Sequence, residues 1–301
     1  MKNEMRTLVI VTFALLMSIG LASKSHAGTV YEDGCLVPYA FYGTSDDTLV
    51  TLMVYTANTG NSIYWSYFSA DGVLLSNGSL PIQSSTWLYN FSLKDKDGDN
   101  HPDTQGYLVF TIDNTGVLET SENRQELSGT AFLWSTGDAA FLPVVPLTRS
   151  DYANVALDLS NLNAASITGL THGCSGSKGT ENKYWIEAAY SAVTQLVIWT
   201  SQNPSGAFTG NISTISGDPL QNITINATHT RLNVVNVASD VAGIPSGYYD
   251  GGLYIIPNGG DRIMFSIVES SVVAARQTVL VLSIRGVEYP YMERAGHSLI
   301  F

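Results

Sequence analysis

The stretch Thr51-Leu52-Met53-Val54-Tyr55-Thr56 runs into the turn residues Asn58-Thr59-Gly60-Asn61 and then into Ile63-Tyr64-Trp65-Ser66-Tyr67-Phe68. Short apolar runs of β-branched and aromatic residues, separated by Asn and Gly, are what strands joined by tight turns require. The first run is apolar at both odd and even positions, which suits a strand covered on two faces. Ala70-Asp71-Gly72 follows as a hairpin signal, because Asp-Gly accepts the positive φ of tight turns.

Working outward, the same grammar recurs. Ser79 to Ile82, Trp87 to Leu93, Tyr107 to Ile112, Thr130 to Trp134 and Ala140 to Val145 read as further strands, with Pro143 and Pro146 marking an edge. The second half repeats the order at an offset near 145 residues. Tyr184-Trp185-Ile186 matches Pro38-Tyr39-Ala40, Gln195 to Thr200 matches Thr51 to Thr56, and Gly252 to Ile256 matches Gly106 to Phe110. Val279 to Ile284 is set against Gly129 to Trp134. The expectation is an all-β chain of two tandem β-sandwich domains, immunoglobulin-like or jelly-roll-like, produced by internal duplication.

The expected organisation is a signal peptide at 1–27, a first sandwich at 28–148, a linker at 149–183 and a second sandwich at 184–301. The leader has a charged start (Lys2, Arg6), an apolar run from Leu8 to Leu21 and small residues at Ser25 and Ala27. It predicts export, with a bacterial look, to the periplasm, the cell surface or the medium. The run is too short to span a bilayer, and no later apolar stretch in the mature chain spans one. An outer-membrane β-barrel is the rival, because the chain ends in Phe301. Against it, barrel strands alternate apolar and polar residues, and the central strands here do not.

Charge limits the partners. Net charge is −12, and removing Lys2, Arg6, Lys24 and Glu4 with the leader makes it −14. Such a chain repels phosphate backbones, so nucleic acid is excluded as a partner. The mature cysteines, Cys35 and Cys174, form an even pair in an oxidising compartment and predict a disulfide.

One stretch concentrates chemistry: Asp95-Lys96-Asp97-Gly98-Asp99-Asn100-His101-Pro102-Asp103. Asp95, Asp97, Asp99 and Asp103 fall at positions 1, 3, 5 and 9 of an EF-hand-like count, with the His101 carbonyl at 7. The pattern DxDGDxxPD resembles the loops of thrombospondin type-3 repeats and related bacterial calcium repeats. The resemblance covers these nine residues. It departs from the type in being a single loop, in carrying Asn100 where Gly is usual, and in offering Gly106 where an EF-hand has Glu. It implies structural Ca²⁺ held at an affinity on the order of 10⁻⁴ M.

Catalytic signals are absent from the sequence: no GxSxG elbow, no HExxH and no phosphate-binding glycine loop occurs. His172 lies near Cys174, and His229 reads as a surface residue on an alternating strand. A carboxylate pair distant in sequence would leave no mark, so an exported polysaccharide hydrolase stands as the alternative. Tyr248 and Tyr249 beside Asp250-Gly251-Gly252, and Tyr289 and Tyr291 around Pro290, sit in turns where aromatic rings stack on sugars. The tryptophans read mostly as core. The sequons at Asn77, Asn90, Asn211, Asn222 and Asn226 read as turn and edge positions. The functional expectation is a secreted, non-catalytic binding or structural module, whose partner is a polysaccharide, a surface, a protein or a second copy of itself.

Overall fold

The computed structural model describes residues 34–54, 62–83, 88–112, 117–118, 127–135, 138–147, 157–158, 180–201, 203–204, 206–216, 218–256, 262–272 and 275–280. In the first half these form β1 (Gly34–Ala40), β2 (Asp47–Val54), β3 (Ser62–Ser69), β4 (Leu74–Pro81), β5 (Leu88–Ser92), the short helix α1 (Leu93–Asp97), β6 (Gly106–Thr111), β7 (Val117–Leu118), β8 (Leu127–Ser135), β9 (Asp138–Leu142) and β10 (Val145–Leu147). After β11 (Leu157–Asp158) come β12 (Thr180–Trp185), a 3₁₀ turn (Ala188–Tyr190), β13 (Ala192–Thr200), β14 (Ala207–Thr214), β15 (Gln221–Asn226) and β16 (Leu232–Asn236). The helix α2 (Val237–Asp240), β17 (Val241–Ala242), β18 (Asp250–Ile256), β19 (Arg262–Ser270) and β20 (Ala275–Leu280) complete the described chain. The all-β expectation holds.

Four sheets carry the fold: sheet I (β5-β2-β8-β9), sheet II (β10-β1-β6-β3-β4), sheet III (β16-β13-β19-β20) and sheet IV (β12-β18-β14-β15-β17). A further two-stranded pair joins β7 and β11. None of these sheets closes on itself among the described residues, so no barrel is found. No helix among them is long and apolar enough to cross a membrane.

The sheets stack face to face. Sheet I meets sheet II through Trp65–Phe91 and Phe91–Phe110 ring contacts, at 5.4 and 5.0 Å between centroids. The opposite face of sheet II meets sheet III, where Tyr107 packs edge-on against Trp199 at 5.8 Å. The far face of sheet III carries Leu196, Ile198 and Met264 into a second core with Ile212, Ile225 and Leu253 of sheet IV. One continuous core therefore includes Phe110 and Tyr107 from the first half and Val197, Trp199, Phe265 and Ile267 from the second.

This stacking corrects the assignment of the doubly covered strand. β2 alternates buried and partly exposed positions, and Met53 is 37 % exposed, because sheet I is an outer layer. The strands buried at every position are β1 and β6, in the inner sheet II. Among the described residues Pro146 sits on an edge strand, β10, which pairs with β1 alone. Asn77 and Asn90 lie on the edge strands β4 and β5, in line with the edge reading, while Asn211, Asn222 and Asn226 lie within β14 and β15 and none of the five is in a turn.

The order of neighbours repeats between the halves. β1-β6-β3-β4 has the same connectivity as β12-β18-β14-β15, and β5-β2-β8-β9 the same as β16-β13-β19-β20. On this mapping β20 corresponds to β9 and β19 to β8, so Val279 and Leu280 align with β9 and not with Gly129 to Trp134 of β8; residues 281–284 lie outside the described residues. Two local devices recur as well. Thr48 Oγ1 accepts from Phe41 N at 2.9 Å and donates to Phe41 O at 2.8 Å. Thr194 does the same to Trp185, both at 2.8 Å. At the start of β6 and of β18 a glycine is required, since a Cβ on Gly106 would lie 2.1 Å from Phe68 O, and one on Gly251 1.9 Å from Ser213 O.

The halves are also clasped at the β3–β4 hairpin tip. Arg231 N and Leu232 N donate to Ala70 O at 3.1 and 2.9 Å, and Thr230 N donates to Asp71 Oδ1 at 3.0 Å. Gly72 has φ +79, the left-handed value its turn demands. Of the region expected to be a linker, Leu157–Asp158 pair with β7 and Thr180–Lys183 already belong to β12. The rest of the expected linker lies outside the described residues.

Candidate functional site

The acidic stretch begins in the last three residues of a short helix. Ser92 caps α1, its Oγ accepting from Asp95 N at 3.1 Å, and Gly98 ends it with φ +66. The same Ser92 hydroxyl donates to Asp47 Oδ2 at 2.6 Å, and Lys94 N donates to Asp47 Oδ1 at 3.0 Å. Burial raises the Asp47 carboxyl despite those donors. Asp95 and Asp97 thus lie on one helical turn, where an extended calcium loop would have spaced them along its inner wall.

Asp97 is the centre of the segment and is 1 % exposed. Its Oδ2 accepts from the Tyr42 hydroxyl at 2.5 Å and from His101 N at 2.8 Å, while His101 Nδ1 lies 3.0 Å from Oδ1. The Ser76 hydroxyl also faces it, without the geometry of a full hydrogen bond. Burial pushes this carboxyl up, but the donors around it outweigh that and hold it below its ordinary value. Tyr42 is fully buried, and burial together with the facing carboxylate raises its hydroxyl.

Around this centre, Asp103 N donates to Tyr42 O at 2.8 Å and the Tyr67 hydroxyl donates to Thr104 O at 2.5 Å. Asp95, Asp99 and Asp103 are exposed, and the His101 carbonyl accepts from Thr104 N at 3.4 Å. Among the described residues no three His, Cys, Asp or Glu side chains gather closely enough to hold a metal ion. As placed, Asp95, Asp97, Asp99, His101 and Asp103 form no such group. The one inward carboxylate is already satisfied by protein donors.

Cys35 is a free, buried thiol on β1. It faces sheet I, where a Cβ on Gly129 would meet its Sγ at 3.6 Å. The expected disulfide is therefore not found, because the thiol is turned into the inter-sheet core; Cys174 lies outside the described residues. Burial raises the Cys35 thiol to about 12, so it carries no thiolate for chemistry at neutral pH. His229 is also relocated. It sits in the β15–β16 turn with Nδ1 at 3.2 Å from Asp71 Oδ2, as part of the clasp between halves.

The turn tyrosines separate. Tyr248 is buried and its hydroxyl donates to Pro219 O at 2.6 Å, so it ties two loops together. Tyr249 is 52 % exposed, and its carbonyl accepts from Ile186 N at 2.7 Å. Tyr289 and Tyr291 lie outside the described residues, as do His172 and His297. That bond brings the Tyr249 loop beside the end of β12, where Trp185 packs against Tyr190 at 5.4 Å between centroids and 42° between planes. Tyr190 is 43 % exposed. Trp185 Nε1 donates to Glu187 Oε2 at 3.4 Å, which fixes the indole at the rim. At the same end of the sheet, beyond β18, Asp218 accepts from Thr214 Oγ1 at 2.7 Å and shapes the β14–β15 turn that exposes Ile215 and Leu220. One end of sheet IV thus carries exposed aromatic and aliphatic side chains, with Glu187, Asp218 and Asp250 on the same end.

Comparison with protein-family models and with curated proteins returned no match. The site stands on its own geometry. Trp185 was read as core from its apolar neighbours. Its signal lay in the alternation Glu181, Lys183, Trp185, which places it on the polar face of β12. Tyr190 carries no such signal, because only the 3₁₀ turn brings it onto Trp185.

Proposed function

We propose that this chain is an exported, non-catalytic binding module for carbohydrate, built from two copies of one duplicated β-unit. The observation that carries the reading is the Trp185–Tyr190–Tyr249 end of the second half. Rigid aromatic rings present a broad apolar face at little conformational cost, and the carboxylates beside them supply acceptors for hydroxyl groups. Glu187, Asp218 and Asp250 provide those acceptors here. Elsewhere the buried or clasping carboxylates are occupied in holding loops: Asp47 and Asp97 around α1, Asp71 across the two halves. The repeated strand order and the paired threonine clamps support descent from one unit.

The test is depletion of the purified protein from solution by insoluble cellulose, chitin and xylan. Binding to at least one of them, reduced in Tyr190→Ala and Tyr249→Ala, is the expected result. An unaltered protein that stays in solution with every polysaccharide refutes the proposal.

A further inference from the structure

The outer face of sheet IV continues from the aromatic end, and its pairing register draws a straight row across it. Glu181 pairs with Tyr254, Tyr254 with Asn211, and Asn211 with Asn222. Residues directly opposite in antiparallel strands put their side chains on the same face. The inward alternates on these strands, Ile212, Ile223, Leu253 and Ile255, lie in the core, so the row faces outward. With strands about 4.8 Å apart, four neighbouring strands give a row of about 14 Å. It reads carboxylate, phenol ring, amide, amide.

The chemistry of the row is unusually specific for a sheet surface. Asn211 Nδ2 donates to Asn222 Oδ1 at 2.8 Å, which aligns the two amides and leaves Asn211 an acceptor and Asn222 its N–H donors. Beside the row, Gly252 opens a dent. A Cβ there would lie 3.2 Å from both Glu181 Oε1 and Ser213 Oγ, so a carboxylate and a hydroxyl line its walls. Donors, acceptors and an aromatic ring at fixed spacing match a chain of sugar hydroxyls and ring faces. The middle of the row is uncharged, on a chain of net charge −12. That balance complements a neutral polysaccharide and opposes a polyanion.

Resting on the carbohydrate-binding reading above, we infer that the outer face of sheet IV, along Glu181, Tyr254, Asn211 and Asn222 with the dent at Gly252, is the platform for a neutral polysaccharide chain. The aromatic end then caps one side of that platform.

Affinity electrophoresis of the full chain in gels containing a mixed-linkage β-glucan, a xylan, a galactomannan or the polyanion pectate tests this. Tyr254→Ala, Asn222→Ala and Gly252→Val are run beside Tyr249→Ala, with circular dichroism to check folding. The expected result is retardation by a neutral gel, weakened about tenfold by Tyr254→Ala and by Asn222→Ala, with no retardation by pectate. Asn222 is exposed, so its variant keeps the test open if Gly252→Val fails to fold. Retardation that survives the row substitutions but is lost in Tyr249→Ala overturns the platform and leaves the carbohydrate reading standing. Retardation by pectate alone overturns the platform as well. No retardation in any gel overturns both.

Discussion

The replacement Tyr42→Phe isolates what holds the acidic segment. It removes only the hydroxyl that donates to Asp97 at 2.5 Å and accepts from His101 N at 2.7 Å, and leaves the buried ring volume in place. Asp97 keeps His101 N, and His101 N keeps Asp97, so neither group is stranded. A lost hydrogen bond to a charged acceptor costs about 2 kcal/mol. For a chain of this size that lowers Tm by roughly 4–8 °C. A calcium clamp predicts something different. With a Kd on the order of 10⁻⁴ M, about 10 mM Ca²⁺ is about 100 Kd and would stabilise the native state by about 2.7 kcal/mol. The assay is thermal unfolding of both proteins in a chelator and in millimolar Ca²⁺. The expected outcome is a Tyr42→Phe loss of several degrees, equal in both buffers, and a wild-type Tm that Ca²⁺ leaves within about 1 °C. A Ca²⁺-dependent rise of several degrees, or no effect of the substitution, would refute the assignment of this segment to the Tyr42–Asp97–His101 latch.

Asp71 gives the pH test: the Thr230 N–H lowers its carboxyl most, burial opposes that, and the His229 ring lowers it further, leaving it below its ordinary value. A depressed carboxyl stabilises the fold above its unfolded value and loses that contribution as pH falls through the folded value. Asp71→Asn is therefore expected to lower Tm at pH 7 by a small amount, since the pair is half exposed, and to match wild type once pH drops well below 3.8 in urea or thermal melts. Gly251→Ala drives a Cβ to 1.9 Å from Ser213 O at φ +150, and a cost of about 3 kcal/mol is expected from the denaturant midpoint. Unchanged stability would show that β14 and β18 do not cross as closely as described. Cys35 should resist a thiol reagent such as iodoacetamide in the native protein and react fully in guanidinium, as read by intact mass. Native labelling, or a Cys35–Cys174 cross-link in the non-reduced digest, would contradict its place in the core.

Much of the fold was legible because strands announce themselves locally. Thr51 to Val54, Ile63 to Phe68, Tyr107 to Phe110 and Gln195 to Thr200 carry β-branched and aromatic runs, and each lies in a strand. What alternation cannot report is how many sheets cover a strand. β2 looked doubly covered, yet it lies in an outer sheet, while β1 and β6 are buried on both faces. The acidic segment shows a related limit. Spacing along the sequence counts oxygens, but the Ser92 cap and Gly98 stop wind the first of them into a helical turn. That turn points Asp97 inward to Tyr42, which is 55 residues away in the chain.

Composition and pattern by themselves determine an acidic, strand-rich chain, because charge balance and the two-residue period are properties of neighbours. Tertiary structure alone decided that the halves share one core through Tyr107 and Trp199, and that Asp71 clasps the turn at His229 and Thr230. It also decided that Glu181, Tyr254, Asn211 and Asn222 stand in one row. These contacts join residues from different strands and halves, and their geometry comes from register and sheet stacking, which no local pattern encodes.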